Sequence, residues 1–305
     1  TLAGLRAVPG GASYADFAEA EAALAQNRVE DGLARLETLA DAQETRAAAL
    51  PRLVVALLAA DQTDRAEAAL ARALAADPTD MTALSLRARL RGAGEDGEAY
   101  ARRMIEADPA SPEGHLVLVR LLIERGEFAA AEGAAQAGLA AAQPNGALAL
   151  ALAGVLELRG DFDGAIAEYE RLHAAAGGGS LLVANNLASL LAEHRGDDPA
   201  TLERAMRIAA RLRGETDPAY RDTYGWLLFL NGQTAQALQQ LEPAAAALPQ
   251  AALAQYHLGR AYAANGQTEK ARDRLEAALA LDPAFPKAES ARAALTALPP
   301  PPVGQ

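Results

Sequence analysis

Four histidines are the first residues of this 305-residue chain to test for chemistry: His115, His173, His194 and His257. None stands four residues from another His, and Cys is absent, so neither metal-ligand spacing nor thiol chemistry is on offer. Asp161-Phe162-Asp163-Gly164 alternates carboxylates, but the further oxygen ligands of a calcium loop are missing. It reads instead as an N-cap in an inter-helix turn, with Arg159-Gly160-Asp161 as the turn itself. Gly177-Gly178-Gly179-Ser180 follows no strand, so it is a linker between helical units rather than a phosphate cradle. No catalytic residue, metal site or cofactor emerges, and a non-enzymatic protein is expected.

Arginines cluster at Arg87, Arg89 and Arg91, at Arg102 and Arg103, and at Arg204, Arg207 and Arg211. Glu and Asp surround them, so they read as solvated helix faces. The chain carries a net charge of −12. That balance argues against a non-specific grip on nucleic acid, which needs a basic face.

The elements that must position any site are helical. Ala supplies 80 residues and aromatics only 4%, while apolar types reach 51%, enough to bury a core. Ala is the best helix former but a small core residue, so helices must pack closely. So few Val, Ile and aromatic residues make a sheet protein the wrong expectation. The uncharged stretch from Gly133 to Leu156 is interrupted by Gln143-Pro144-Asn145-Gly146, giving two helices and a turn instead of a membrane span. No signal peptide is visible at Thr1, and residues 299–305 form a Pro-rich tail.

The chain repeats itself. Asn231-Gly232-Gln233-Thr234 recurs as Asn265-Gly266-Gln267-Thr268, a shift of 34 that also maps Gly225 onto Gly259, Leu241 onto Leu275 and Pro249 onto Pro283. Working backwards, turn residues fall at Asn27, Asp61, Gly92, Gly126 and Gly160, with a small residue five positions after each. Each unit reads as helix, tight turn, helix. In the last, Asn265-Gly266 stops the first helix, Thr268 caps the second, and Gly259 and Ala271 face one another.

On Leu258-Gly259, Tyr262, Ala271, Leu275, Ala278 and Pro283, and their counterparts one repeat earlier, the chain resembles the tetratricopeptide repeat family. The resemblance runs from about Ser13 to Phe285, with a degenerate first repeat and an insertion around Gly196-Asp197-Asp198-Pro199 in the sixth. It implies an all-α, right-handed α-solenoid of about eight helix-turn-helix repeats. Residues 1–12 would precede repeats one to five at 13–180 and repeats six to eight at 181–285. A capping helix over 286–298 would follow, with Lys287, Glu289 and Arg292 outward and Ala288, Ala291 and Leu295 inward.

In such a stack the first helix of each repeat lines the concave face, where polar and aromatic residues serve no core. Aligning the last three repeats gives three rows: Asn185, Asp222 and Tyr256; Asn186, Thr223 and His257; Ser189, Trp226 and Arg260. Asn can pair with both donors and acceptors of a peptide backbone, and Trp and Arg are common anchors. The expected partner-binding set is therefore Asn185, Asn186, Ser189, Asp222, Trp226, Tyr256, His257 and Arg260, with Trp226 and Arg260 at least partly exposed. Arg260 would meet an acidic or carboxylate group.

The expected function is a protein-protein interaction scaffold that takes a peptide or protein in the groove. The run Asn185-Asn186-Leu187-Ala188 and the segment Asp222-Thr223-Tyr224-Gly225-Trp226 also resemble exported bacterial repeat proteins. That likeness implies a periplasmic or envelope-associated place, in envelope assembly or export, near a membrane complex but without a transmembrane segment. The alternatives are a cytosolic co-chaperone and an enzyme-associated regulatory subunit.

Overall fold

Left-handed residues punctuate the chain where the 34-residue spacing puts them. In the computed structural model, which describes residues 11–141 and 145–299, Asn27 and Asp61 take φ of 59° and 57°. Gly92, Gly126, Gly160, Gly232 and Gly266 take φ between 65° and 76°. A side chain at these angles is strained, so Gly is the favoured residue and Asn and Asp the tolerated ones. The expected N-terminal extension before Gly11 lies outside the described residues, as do the rest of the Pro-rich tail after Pro299 and Gln143-Pro144 of the predicted turn.

Between the turns run seventeen α-helices, and the described residues hold no strand. The first nine are α1 (Gly11–Ala25), α2 (Val29–Asp41), α3 (Gln43–Ala59), α4 (Thr63–Ala76), α5 (Met81–Arg91), α6 (Glu95–Ala107), α7 (Pro112–Glu124), α8 (Phe128–Ala141) and α9 (Gly146–Leu158). The others are α10 (Phe162–Ala175), α11 (Leu181–Arg195), α12 (Pro199–Ala209), α13 (Pro218–Leu230), α14 (Thr234–Ala247), α15 (Ala252–Ala264), α16 (Thr268–Leu281) and α17 (Ala288–Ala297). Among the described residues they form an all-α repeat solenoid that closes on the single helix α17.

The chain forms two compact units, Thr1–Arg159 and Gly160–Gln305, dividing in the turn that ends α9. In the first unit α3, α5, α7 and α9 touch in succession, so the first helices of the pairs share one face. The core there is Ala and Leu, with Leu33, Leu50, Leu53, Leu57, Leu70 and Leu84 almost wholly buried. In the second unit α11, α13, α15 and α17 touch in the same succession. Glycine lets the paired helices approach. A Cβ on Gly225 would lie 2.8 Å from Leu241 Cγ, and one on Gly259 would lie 2.8 Å from Leu275 Cγ. The nearest neighbour of Gly259 is thus Leu275 and not Ala271, because the branched Leu side chain fills the space the missing Cβ leaves.

The last turn is tighter than expected. Gln267 N–H donates to the Tyr262 carbonyl at 3.0 Å and Gly266 N–H to that of Ala263 at 3.1 Å, the paired bonds of a Schellman end. Gln267 is at once the end of that motif and the N-cap of α16, so Thr268 is the first helical residue and does not cap. Asp161, by contrast, does cap α10, its Oδ1 accepting from Gly164 N–H at 3.0 Å.

Candidate functional site

Serine and aspartate caps fix the starts of two helices that carry the expected set: Ser180 accepts from Val183 N–H ahead of α11, and Asp217 from Ala219 N–H ahead of α13. α15 has no side-chain cap and is held by packing, with residues 254–259 all buried. All eight expected residues fall on these three neighbouring helices. What they do there differs by row.

His257 is the centre. Its ring is buried between two carboxylates, with Nδ1 2.9 Å from Asp222 Oδ2 on α13 and Nε2 3.1 Å from Glu193 Oε1 on α11. Lys287 completes the cluster from just before α17. Its Nζ lies 3.0 Å from Glu193 Oε2 and donates to the Glu193 carbonyl at 2.9 Å. Burial alone would pull the His257 imidazole down, but Asp222 and Glu193 outweigh it and push its pKa up to about 9. Burial likewise works to raise the Glu193 carboxyl, yet His257 and Lys287 hold it below the ordinary carboxylate range. Two cations face two carboxylates, and the cluster is internally neutralised.

Trp226 lies flat on this cluster. Its ring stacks on His257 at 4.2 Å and on Phe229 at 5.0 Å, with Tyr256 tilted against it at 5.8 Å. It is only 6% exposed, which overturns the expectation of an open apolar anchor: α15 packs on α13 and lays the His257 ring over the indole. Tyr256 and His257 are buried too, at 2% each. Asn185 is buried beside Asn186, which donates from Nδ2 to the Tyr169 hydroxyl at 3.0 Å, and Ser189 is half-buried.

Arg260 alone among the larger expected residues stays half-open. It donates from Nη1 to the Tyr256 hydroxyl at 2.8 Å and lies 5.9 Å over the Phe229 ring. It forms no ion pair with a carboxylate among the described residues. Beside it opens a cleft of about 640 Å3 lined by Phe229, Ala263, Ala264, Ser290, Ala294 and Ala297. Three buried polar atoms of the expected set have no hydrogen-bond partner: Asn185 Oδ1, Asp222 Oδ1 and Trp226 Nε1.

Glu193, Phe229 and Lys287 belong to the site and were not foreseen. Glu193 follows Asn185 and Ser189 at four-residue steps, so extending that helical stripe by one turn would have found it. Lys287 was expected to point outward with Glu289 and Arg292; the buried Glu193 carboxylate draws it in, while the other two are exposed. His257 likewise does not stand alone, because its partners come from 35 and 64 residues away.

Family models for the tetratricopeptide repeat match residues 17–80, 116–180 and 228–295, about two thirds of the chain. This chain belongs to the tetratricopeptide repeat family. Solved structures agree on the fold. The APC/C hetero-tetramer Cut9-Hcn1 matches at TM-score 0.61 and 14% identity, over 96% of this chain and 58% of that one. Pseudomonas aeruginosa pilF matches at 0.51 and 19%, over 69% and 94%, and yeast Tom70 at 0.50 and 15%, over 95% and 60%. No curated protein sequence matches. A tetratricopeptide repeat protein is typically a non-catalytic interaction scaffold, and its partners are proteins. No described helix is long and apolar enough to cross a membrane.

Proposed function

We propose that this chain binds a protein or peptide partner on the inner helices of its last three repeats, at the open stretch beside Arg260. The observation that carries the reading is Arg260 itself. It is a half-buried guanidinium with no carboxylate partner in a protein of net charge −12, and it stands at the edge of an Ala-lined cleft. Such a cleft accepts a close-lying backbone or small side chains, and the guanidinium accepts a carboxylate from an acidic residue or a chain end. The Trp226–His257 cluster then serves as a rigid floor that sets the position of Tyr256 and Arg260. Asn186 and Ser189, both half-buried, extend the polar face along α11.

The scaffold is proposed to act without catalysis. His257 holds its proton at neutral pH and both ring nitrogens are committed to carboxylates, so it is no general base. A role in bacterial envelope assembly or export, in the periplasm, rests on the sequence likeness at Asn185-Asn186 and Asp222–Trp226 alone.

A photo-crosslinking residue at Ala264, in the cleft, tests the binding face in cells of the source organism. We expect a discrete crosslinked protein that disappears with Arg260→Ala and is absent when the crosslinker sits at exposed Glu276 on α16. Equal crosslinking from both positions would refute the assignment.

A further inference from the structure

On the other side of the second unit, between α10 and α12, lies a cleft of about 980 Å3. Along the chain its two parts look unrelated, since the Gly177–Ser180 segment reads as a linker and the Arg204, Arg207 and Arg211 series as a solvated face. The fold brings them together. Its lining joins apolar Leu181 and Ile208, the guanidinium-bearing Arg204, Arg207 and Arg211, and His173 with the glycines. The loop is shaped around the last arginine: Gly177 and Gly178 both take positive φ, and a Cβ on Gly178 would lie 2.6 Å from Arg211 Nη1.

We propose that this cleft is a second docking site, which takes an acidic, Asp- or Glu-rich segment of a protein partner. Three features select carboxylates. First, two of the arginines already hold one each from this chain: Arg204 pairs with Glu170 at 2.6 Å and Arg207 with Glu203 at 2.7 Å. These pairs are solvent-exposed and worth at most about 1 kcal/mol each, so an incoming acid exchanges with them at little cost. Second, Arg211 is left with no acid among the described residues, and the His173 ring, which lies against Gly178 as Arg211 does, keeps a buried Nδ1 without a partner.

Third, the charges are spread out and do not converge. Arg204 and Arg207 sit one turn apart on α12 and Arg211 in the 3-10 turn that follows it (Ala210–Leu212), so the series spreads over about 11 Å. Alternate side chains of an extended peptide lie about 7 Å apart, so a short acidic run meets the series one carboxylate at a time. A single phosphate would reach one guanidinium and waste the others. Because the protein as a whole is acidic, general attraction cannot supply this binding; the local arginines must.

The test uses the full chain and a fluorescent Glu-rich peptide of about ten residues, at low salt, followed by anisotropy. Binding is expected to weaken about tenfold or more in the Arg204→Gln, Arg207→Gln, Arg211→Gln triple variant, and several-fold in Arg211→Gln alone. A control triple at Arg72, Arg102 and Arg120, which removes the same charge from the first unit, should bind normally. Run in the Arg260→Ala background, which removes any share of binding that belongs to the proposed groove, the cleft triple should still weaken binding about tenfold, so either site can fail without the other. Equal weakening by the control triple would overturn the proposal, as would unchanged binding in the cleft triple. Tighter binding of a phosphoserine peptide, or displacement of the Glu peptide by millimolar inorganic phosphate, would overturn the assignment to carboxylates.

Discussion

His115 in the first unit and His257 in the second are buried to a similar degree, 5% and 2% exposed, each on the first helix of its pair. His115 edges a cleft with Ile105, Leu118 and Leu122 on its apolar side and Glu98, Arg102 and Arg125 on its charged side, yet bonds none of them. Gly138 makes room for it, where a Cβ would lie 2.8 Å from the imidazole Cγ. Neither ring nitrogen of His115 has a partner. His257 has both nitrogens on carboxylates and an aromatic ring on its face. The same side chain, on the same kind of helix, is a space-filler in one unit and the ionic keystone of the other. Among the described residues, four of the five buried polar ones, Asn185, Thr223, Gln255 and His257, lie in the second unit. The repeat scaffold therefore leaves core chemistry free, and the second unit has spent that freedom on polar and aromatic contacts along its inner face.

Removing the keystone should give the largest effect. His257→Ala strands Asp222 and leaves buried Glu193 with Lys287 as its one remaining cation, an expected loss of about 3 kcal/mol or more. The unfolding midpoint should fall by on the order of 10 °C for a unit of this size. Trp226 is the single Trp and stacks on His257, so its fluorescence reports the second unit directly. A fall below about 1 kcal/mol would mean that the cluster is held by packing and not by charge.

The pH dependence should be next in size. His257 titrates at about 9 when folded against 6.5 for the free side chain. Its contribution is complete below about pH 6.5 and fades as pH rises through 9, by on the order of 3 kcal/mol in all. Glu193 is shifted the opposite way, so its contribution is present above pH 4.5 and lost as pH falls through its depressed folded value. Stability monitored at Trp226 should therefore decline between pH 7 and about 9.5, and His257→Ala should flatten that decline. A flat profile in the native chain would break the contrast with the first unit.

The smallest effect should separate the histidines most sharply. His115→Leu replaces two unpartnered nitrogens with an apolar side chain of similar size, and should stabilise the protein by about 1 kcal/mol. His257→Leu should do the reverse. Chemical denaturation of both variants checks the pair, and destabilisation by His115→Leu would show that His115 has a polar role after all.

The fold was open to reading because its signals are local. A left-handed residue at Asn27, Asp61 or Gly160 declares itself by type, and the 34-residue spacing needs no knowledge of what packs on what. The stripe on the inner helices was legible for the same reason: Asn185, Ser189, Asp222, Trp226 and Arg260 follow from helical periodicity. What periodicity cannot supply is distance between stripes. Glu193 meets His257 across 64 residues and Lys287 across 94 only because successive inner helices converge. That convergence is set by the summed small rotations between pairs, a product of many Ala and Gly contacts with no motif of its own. The sequence by itself determined the helices, their pairing and the face that carries the unusual residues. Tertiary structure decided which of those residues spend their polarity on one another and which, like Arg260, keep it for something else.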